Sequence, residues 1–411
     1  MISRVRGAAL LWLILLFACA SPARAQFETA SVVGTVRDQS GAVVPGAKVT
    51  LTNTATGVSL TRTTTADGTY EFVTVKGGIY LVTAEQTGFS IALTDNVQVQ
   101  VGARMRVDMQ LAVGQLSEKV VVTGSSPLIE TDSSQRSQVI TGDQMRELAL
   151  NGREYSALAL LSTGVRQSAL NKSNQGTPRE GAFNVNGLRS TFNNFLIDGV
   201  DNNAYGTSNQ GFSNQVMQPA PDAVDEFRVV TNNQSAEYGR AAGATVNVAY
   251  RSGGNQFHGD AWEFFRDTKL NATTFFTPPD GQKPPLRRNQ YGGVFGGPIV
   301  KNKAFFFGDF EGFRQNRKQT VFSTLPTATQ NAGILSVDIR DPRTGVVYPA
   351  GSAIPMTAFA RKVLGGLPAP NLAGAANNYS ILQELTNDTD KAGGKIDLQV
   401  SPELSMFGRY G

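Results

Sequence analysis

One cysteine and one histidine occur among 411 residues. That is too little to build a Cys/His zinc cage, an iron–sulfur cluster or a disulfide framework. Charge is scarce as well: Asp, Glu, Lys and Arg make up 17% of the chain, which argues against helical bundles and coiled coils. Beyond the N-terminus no run reaches the roughly 18 apolar residues of a membrane-spanning helix, so any passage through a bilayer is made by strands. A G-x-S-x-G elbow, a phosphate loop and a pair of facing carboxylates are all missing. His258, without a Cys or second His, reads as a surface or lumen polar residue. No catalytic residue, metal or cofactor is expected, and the chain reads as a non-enzyme.

What the chain has in quantity is glycine, 43 residues, together with Thr and Asn. Such a composition favours strands joined by turns. At roughly 100–200 residues per domain, the length predicts two to three domains.

The N-terminus has the three parts of a secretory leader. Arg4 and Arg6 precede an apolar run from Ala8 to Ala20, and Ala23-Arg24-Ala25 forms a small-x-small site before Gln26. Export with cleavage between Ala25 and Gln26 is the preferred reading. The alternatives are a membrane anchor, for which the run is short, and lipidation at Cys19, which Phe17 and the better site at Ala25 disfavour. Removing residues 1–25 takes away Arg4, Arg6 and Arg24 and no acid, turning 37 basic against 33 acidic side chains into 34 against 33. A basic nucleic-acid footprint is then absent, and no nucleic acid is expected as partner.

Residues 26–113 hold about seven strand-like runs separated by turn residues, the pattern of a small antiparallel sandwich. The runs include "TYEFVTV" and "GIYLVTAEQ", with Asp67-Gly68, Gly77-Gly78 and Gly88 between runs. Val33, Val36, Val49, Leu51, Tyr70, Phe72, Tyr80, Val82, Val107 and Leu111 are the candidate core. Tyr70, Phe72 and Tyr80 fit a sugar-stacking platform, but their period-two placement favours core packing. "GTVRDQSGAVVPGAKVTLTN", "TADGTYEF" and "GIYLVTAEQTGF" resemble the carboxypeptidase regulatory-like domain, a prealbumin-type sandwich grouped with carbohydrate-binding-like folds.

Residues 114–124 form a linker containing "EKVVVTG". Val120 to Val122 can pair as one strand, yet the flanking Gly, Ser and Pro offer nothing local to pair with. Such a segment is open to strand addition by a partner. It resembles the TonB box of outer-membrane receptors. By that resemblance Glu118, Lys119, Val120, Val121, Val122 and Thr123 are captured as an added strand by the periplasmic protein TonB. An ordinary linker strand is the alternative.

Residues 125–251 read as a small α/β unit. Thr141 and Gln144 stand at capping-box spacing before "MRELAL", "REYSALALLSTGV" reads as a second helix stopped by Gly164, and 170–181 reads as an exposed loop. Strands are expected at Phe227–Thr231 and Ala244–Tyr250. "LALNGREYSALALLSTGV", "FNVNGLRSTFNNFLIDGVDNN" and "VDEFRVVTNNQSAEYGRAAGATVNVAYRSGGNQFHG" closely resemble the plug domain of TonB-dependent receptors, in the Oar-like branch that carries the sandwich in front. The resemblance implies a plug inside a barrel lumen, moved by TonB, and carries the plug motifs onto Asn186, Gly187, Arg189, Asp198, Gly199 and Asp201. The chain departs from the motif at Ala249-Tyr250-Arg251, without expected consequence for the fold. Asp198, Asp201, Asn202 and Asn203 gather oxygen ligands of the kind Ca²⁺ takes, though not at EF-hand spacing. Turn chemistry and hydrogen bonds to the barrel wall are the preferred reading.

Residues 252–411 supply aromatic-rich runs of about ten residues with short turns, the pattern of outer-membrane strands. They resemble the first barrel strands of Oar-like receptors. Tyr291, Gly293, Phe295, Phe305 and Phe307 are expected to face lipid, with Trp262 and Tyr291 in an aromatic girdle. Residues 326–388 read as a long extracellular loop with one helix, Thr357–Leu364. Plugged outer-membrane transporters use about 22 strands and this region holds about six, so the sequence reads as the N-terminal part of a longer receptor.

The expected fold is thus multi-domain: an all-β prealbumin-like sandwich, an α/β plug and the first strands of an incomplete antiparallel transmembrane barrel. The expected function is that of a TonB-dependent outer-membrane receptor. Its expected partners are the TonB complex, an unidentified small-molecule or glycan ligand and outer-membrane lipid, with the sandwich in the periplasm. The alternative is a surface adhesion protein that binds carbohydrate through the sandwich.

Overall fold

A computed structural model describes residues 30–114, 119–122, 130–168, 183–204, 215–239, 242–272, 283–402 and 404–411. The leader with Ala25 and Gln26, the loop 170–181, Glu118 and Thr123 lie outside the described residues. The chain divides into two compact units, one of 1–261, 292–311 and 391–411, the other of 262–291 and 312–390.

The first unit opens with a two-sheet sandwich. Strand β1 (Ala30–Asp38) pairs antiparallel with β4 (Thr69–Val75) and parallel with β7 (Arg104–Arg106) and β8 (Met109–Leu111). The facing sheet holds β2 (Lys48–Asn53), β3 (Ser59–Thr63), β5 (Gly78–Glu85), β6 (Ile91–Val99) and β9 (Lys119–Val122), in the order β3-β2-β5-β6-β9. Buried and exposed residues alternate along β4 and β5, which puts every second side chain between the sheets. All ten candidate core residues are buried there. The parallel β1–β7 and β1–β8 pairs make the sandwich mixed, not purely antiparallel. Gly34 is required where β1 meets the β7–β8 connection, because a Cβ would strike the Val107 carbonyl and the Tyr70 hydroxyl. That hydroxyl donates to the same carbonyl at 2.6 Å.

The plug follows. Strand β10 (Arg136–Thr141) runs into helix α1 (Gly142–Glu147), whose Thr141 and Gln144 form the expected capping box. Tyr155–Leu161 is a 3-10 helix, more tightly wound than the α-helix expected there, and the chain leaves it through Gly164 at φ +84°. A hairpin of β11 (Val165–Gln167) and β12 (Phe183–Val185) precedes the main sheet. That sheet takes β13 (Asn194–Ile197), β14 (Val200–Asp201), β15 (Val224–Asn232) and β16 (Thr245–Tyr250), in the order β10-β15-β16-β13-β14. β13 and β16 pair in parallel and are buried along nearly their whole length, as strands covered on both faces must be.

Strands β17 (His258–Asp267), β18 (Leu286–Val300) and β19 (Ala304–Ser323) follow. The latter merges two runs that the sequence reading kept apart. Helix α2 (Ala328–Asn331), the short pair β20 (Ile339–Arg340) and β21 (Val347–Tyr348), and helix α3 (Ala358–Gly365) lie in the second unit. Helix α3 lies one residue along from the expected Thr357–Leu364, with Thr357 as its N-cap. Strand β22 (Tyr379–Ser401) begins nine residues before the expected end of the long loop, and β23 (Leu404–Tyr410) follows it. The sheet order is β17-β18-β19-β22-β23.

The alternation on these strands is reversed relative to a soluble sheet. On β22, Lys395 and Asp397 are 4% and 6% exposed, whereas Ile396, Leu398 and Val400 are 54%, 43% and 52% exposed. Polar side chains point in and apolar ones out, the signature of a strand with lipid on one face and a polar lumen on the other. On β19 the outward residues are Phe306 and Phe310, while Phe305 and Phe307 are buried. The expectation that Phe305 and Phe307 face lipid is therefore corrected. Asp309 and Glu311 share their parity, and two carboxylates on a lipid face would cost more than two buried phenylalanines.

Candidate functional site

The plug motifs fall in two places. Asn186 and Gly187 form an exposed turn at φ +50° and +81°, with the Asn186 amide donating to the Thr231 carbonyl at 3.0 Å. Arg189 is exposed and precedes a 3-10 turn, Ser190–Phe192. The second motif closes the β13–β14 hairpin, where Asp198 and Gly199 both take positive φ, +49° and +72°. Asp and Gly are the residues that tolerate this geometry.

Asp198 is 1% exposed. One carboxylate oxygen accepts the Tyr250 N–H at 2.9 Å and lies 3.2 Å from the Lys395 ammonium, and the other lies 3.0 Å from Arg409 Nε. The Arg409 contact is an ion pair whose angle falls outside hydrogen-bond alignment. Lys395 also donates to the Tyr250 carbonyl at 3.3 Å, and the Arg409 guanidinium lies over the Tyr250 ring at 5.7 Å. The Tyr250 hydroxyl donates to Asp309 on β19, and its ring meets Phe307 edge-on. Thus Tyr250, the position where the motif departs from the family pattern, is the centre of the contact between the plug and β19, β22 and β23.

A second cluster lies beside the 3-10 helix. Arg153 pairs with Asp222 of the plug and, through Nε at 3.1 Å, with Glu311 of β19, which is 1% exposed. Lys391 of β22 approaches Glu311 to 3.9 Å. The two clusters together set Arg153, Lys391, Lys395 and Arg409 against Asp198, Asp222, Asp309 and Glu311, a balanced set of charges. Balance is what makes burial of so many ions tolerable.

The remaining residues of the hairpin spend their oxygens on the turn and its neighbours. Asp201 accepts from the Asn203 backbone and side-chain amides at 2.9 and 2.7 Å, Asn202 exchanges bonds with the Met217 backbone at 2.9 and 2.8 Å, and Asn203 bonds Asn194 and Phe195. These are turn contacts, while Asp198 supplies the contacts to the strand wall.

Glu226 and Arg228 of the plug reach the sandwich. Glu226 accepts the Val101 N–H, and Arg228, fully buried, approaches the Val101 carbonyl at 3.5 Å. Arg228 also donates twice to Glu130, at 2.6 and 2.9 Å, anchoring the chain where it enters the plug. Burial, and secondarily the neighbouring Asp225, pushes the Glu226 carboxyl up to about 7 against the opposing Val101 N–H and Arg228.

Of the TonB-box candidates, Lys119 to Val122 form β9 and pair in parallel with β6, Ile91 opposite Lys119 through Thr94 opposite Val122. The segment does have a local partner, contrary to the sequence reading. Tyr70, Phe72 and Tyr80 are 4%, 1% and 5% exposed, so the candidate sugar platform is core. The lone His258 bonds locally to the Gln256 carbonyl at 3.3 Å and stacks against Phe307.

Sequence reasoning missed the barrel-strand half of the ionic contact: Asp309, Glu311, Lys391, Lys395 and Arg409. The signal was present in β19, where two carboxylates occupy alternate positions of an aromatic-rich strand and fix which face is inward.

Outward apolar and inward polar strands, with a hairpin of the preceding domain held against them by buried ions, are the features of a plug domain packed on strands of an outer-membrane β-barrel. Residues 31–112 match the carboxypeptidase regulatory-like domain, 130–246 the TonB-dependent receptor plug domain and 249–411 the outer membrane beta barrel domain. The chain thus carries the plug domain of TonB-dependent receptors and part of an outer-membrane β-barrel domain, behind a carboxypeptidase regulatory-like domain. Over 303 residues it is 25% identical to the TonB-dependent transporter Oar of Myxococcus xanthus, an alignment covering 69% of this chain and 26% of that protein. The chain therefore spans well under half the length of this curated relative. Solved structures that it resembles include the outer membrane transporter YddB of Escherichia coli, with 14% identity, 65% of this chain and 31% of that one covered, and a TM-score of 0.41. Another is the siderophore receptor PirA of Acinetobacter baumannii, with 16% identity, 66% and 30% covered, and a TM-score of 0.36.

Proposed function

We propose that this chain forms the gate and coupling end of a receptor that imports a small-molecule or glycan ligand across the outer membrane under TonB drive. The observation that carries the reading is the Asp198–Lys395–Arg409 contact, in which a plug hairpin is held by side chains of barrel strands through ion pairs. Such a contact is stable when all members are present and collapses when one is withdrawn, which suits a gate that must stay shut until pulled. Segment 118–123 is the coupling handle, and Glu130, bonded to Arg228 in the plug sheet, is where a pull on that handle enters the plug. Asn186, Gly187, Arg189, Asp198, Gly199 and Asp201 then act as turn and contact residues of the gate, and residues 1–25 as its export leader.

Binding of the purified periplasmic domain of the host's TonB to the detergent-solubilised chain tests this. Val121→Pro removes a ladder N–H and blocks strand addition, so binding is expected to fall at least tenfold. Unchanged binding refutes residues 118–123 as the handle.

A further inference from the structure

The strand read as the coupling handle is not lying free. Lys119–Val122 forms the edge of the sandwich's second sheet, in parallel register with four consecutive residues of β6. Two features show that the sandwich is shaped to hold it. The chain is anchored just before the strand, where Val113 bridges to Phe89 and the Gly114 N–H donates to the Gly88 carbonyl at 3.3 Å. From there only residues 115–118 separate the anchor from Lys119, which keeps the strand at high effective concentration beside Ile91. At the other end, two residues beyond Thr94, the partner of Val122, Asn96 turns β6 into the left-handed region at φ +57°.

Parallel ladders are somewhat weaker than antiparallel ones, and four residues form a short one. The pairing is therefore strong enough to occupy the segment and weak enough to be exchanged. A strand-adding partner needs an extended ladder and side-chain pockets on alternate residues, and β6 already holds one edge of the same four residues. We infer that β6 is a docking surface for the chain's own Lys119–Val122, and that a periplasmic strand-adding partner must displace this segment from β6 before it can pull on the plug. The inference rests on the reading of 118–123 as the coupling handle. On it, the sandwich is a clamp on the handle, and Val101, bonded to Glu226, keeps that clamp on the plug it controls.

The chain's single native cysteine, Cys19, makes the test simple. In a Cys19→Ser background, Leu93→Cys with Val121→Cys places two thiols at register partners, and Thr94→Cys with Val122→Cys does so one step along in case the first pair folds poorly. Oxidation is expected to cross-link each pair in the full chain. The oxidised protein should bind the TonB periplasmic domain at least tenfold more weakly than the same protein after reduction, so that each double variant serves as its own control. Failure of both pairs to cross-link overturns the dock. Cross-linked protein that binds as well as reduced protein overturns displacement and means that the partner adds to the outer edge of β9. Loss of binding by the parent itself overturns the coupling reading as well, an outcome distinct from either of these.

Discussion

Asp198→Asn isolates the charge at the centre of the plug contact. Asparagine tolerates the left-handed φ of +49° at this position, and its amide oxygen can keep the bond from the Tyr250 N–H, so backbone and hydrogen bond serve as internal controls. What is lost is the anion facing Lys395 at 3.2 Å and Arg409 at 3.0 Å. At an effective dielectric of about 20, each pair is worth about 5 kcal/mol of gross attraction, most of which offsets the cost of desolvation. Removing one member of a buried pair leaves the others uncompensated and costs about 3–5 kcal/mol. The Lys395 side chain is nearly inaccessible and Arg409 little more exposed, so water cannot take over the anion's role. A loss of about 3 kcal/mol corresponds to a more than ~100-fold change in an opening equilibrium. Hydrogen–deuterium exchange of peptides spanning 194–202 and 245–250 should therefore accelerate by that factor. Adding Lys395→Gln should recover part of the loss, since it removes one stranded cation. Exchange in Asp198→Asn within about twofold of the parent would refute the claim that these ions hold the gate.

Two further expectations follow from buried groups. Glu226 has its carboxyl raised to about 7 from an ordinary 4.5, so the folded chain holds a proton between those values that the unfolded chain has released. Its contribution is full below about 4.5 and falls as pH rises towards 7, a change on the order of 3 kcal/mol. Glu226→Gln keeps an acceptor for the Val101 N–H, and thermal melts between pH 4.5 and 7.5 should show a flatter profile; an unaltered slope rules out Glu226 as its source. In the sandwich, Phe72 is 1% exposed and packs edge-on against Tyr70 with ring centres 5.8 Å apart. Phe72→Ala should destabilise the domain by about 3–5 kcal/mol, and a loss under about 1 kcal/mol in urea unfolding would contradict its place in the core.

Local pattern was sufficient for much of this protein. Period-two placement marked Val49, Leu51, Tyr70, Phe72, Tyr80 and Val82 as core, because a strand sends alternate side chains to opposite faces whatever lies beyond it. Thr141 and Gln144 announced a capped helix from their spacing alone, since the cap is closed within four residues. Asp198-Gly199 announced a tight turn for the same reason.

The tertiary structure decided whatever depends on a partner distant in sequence. The face of β19 that Phe305 and Phe307 occupy was settled by the plug, whose Tyr250 and Arg153 meet Asp309, Phe307 and Glu311. Strand periodicity alone defines two faces without saying which is inward, and the sequence reading turned that strand the wrong way by weighing its aromatics and passing over Asp309 and Glu311, which share the parity of Phe305 and Phe307. The edge that Lys119–Val122 takes on β6 was likewise hidden, because backbone hydrogen bonds carry no side-chain signature and a parallel pairing can be made with any exposed edge. Asp198 was visible as a turn residue, but its pairing with Lys395 and Arg409 joins positions some two hundred residues apart. Only the folded chain brings those charges within reach of one another, and burial there, not the residue types, turns a common turn carboxylate into the ion that holds the plug.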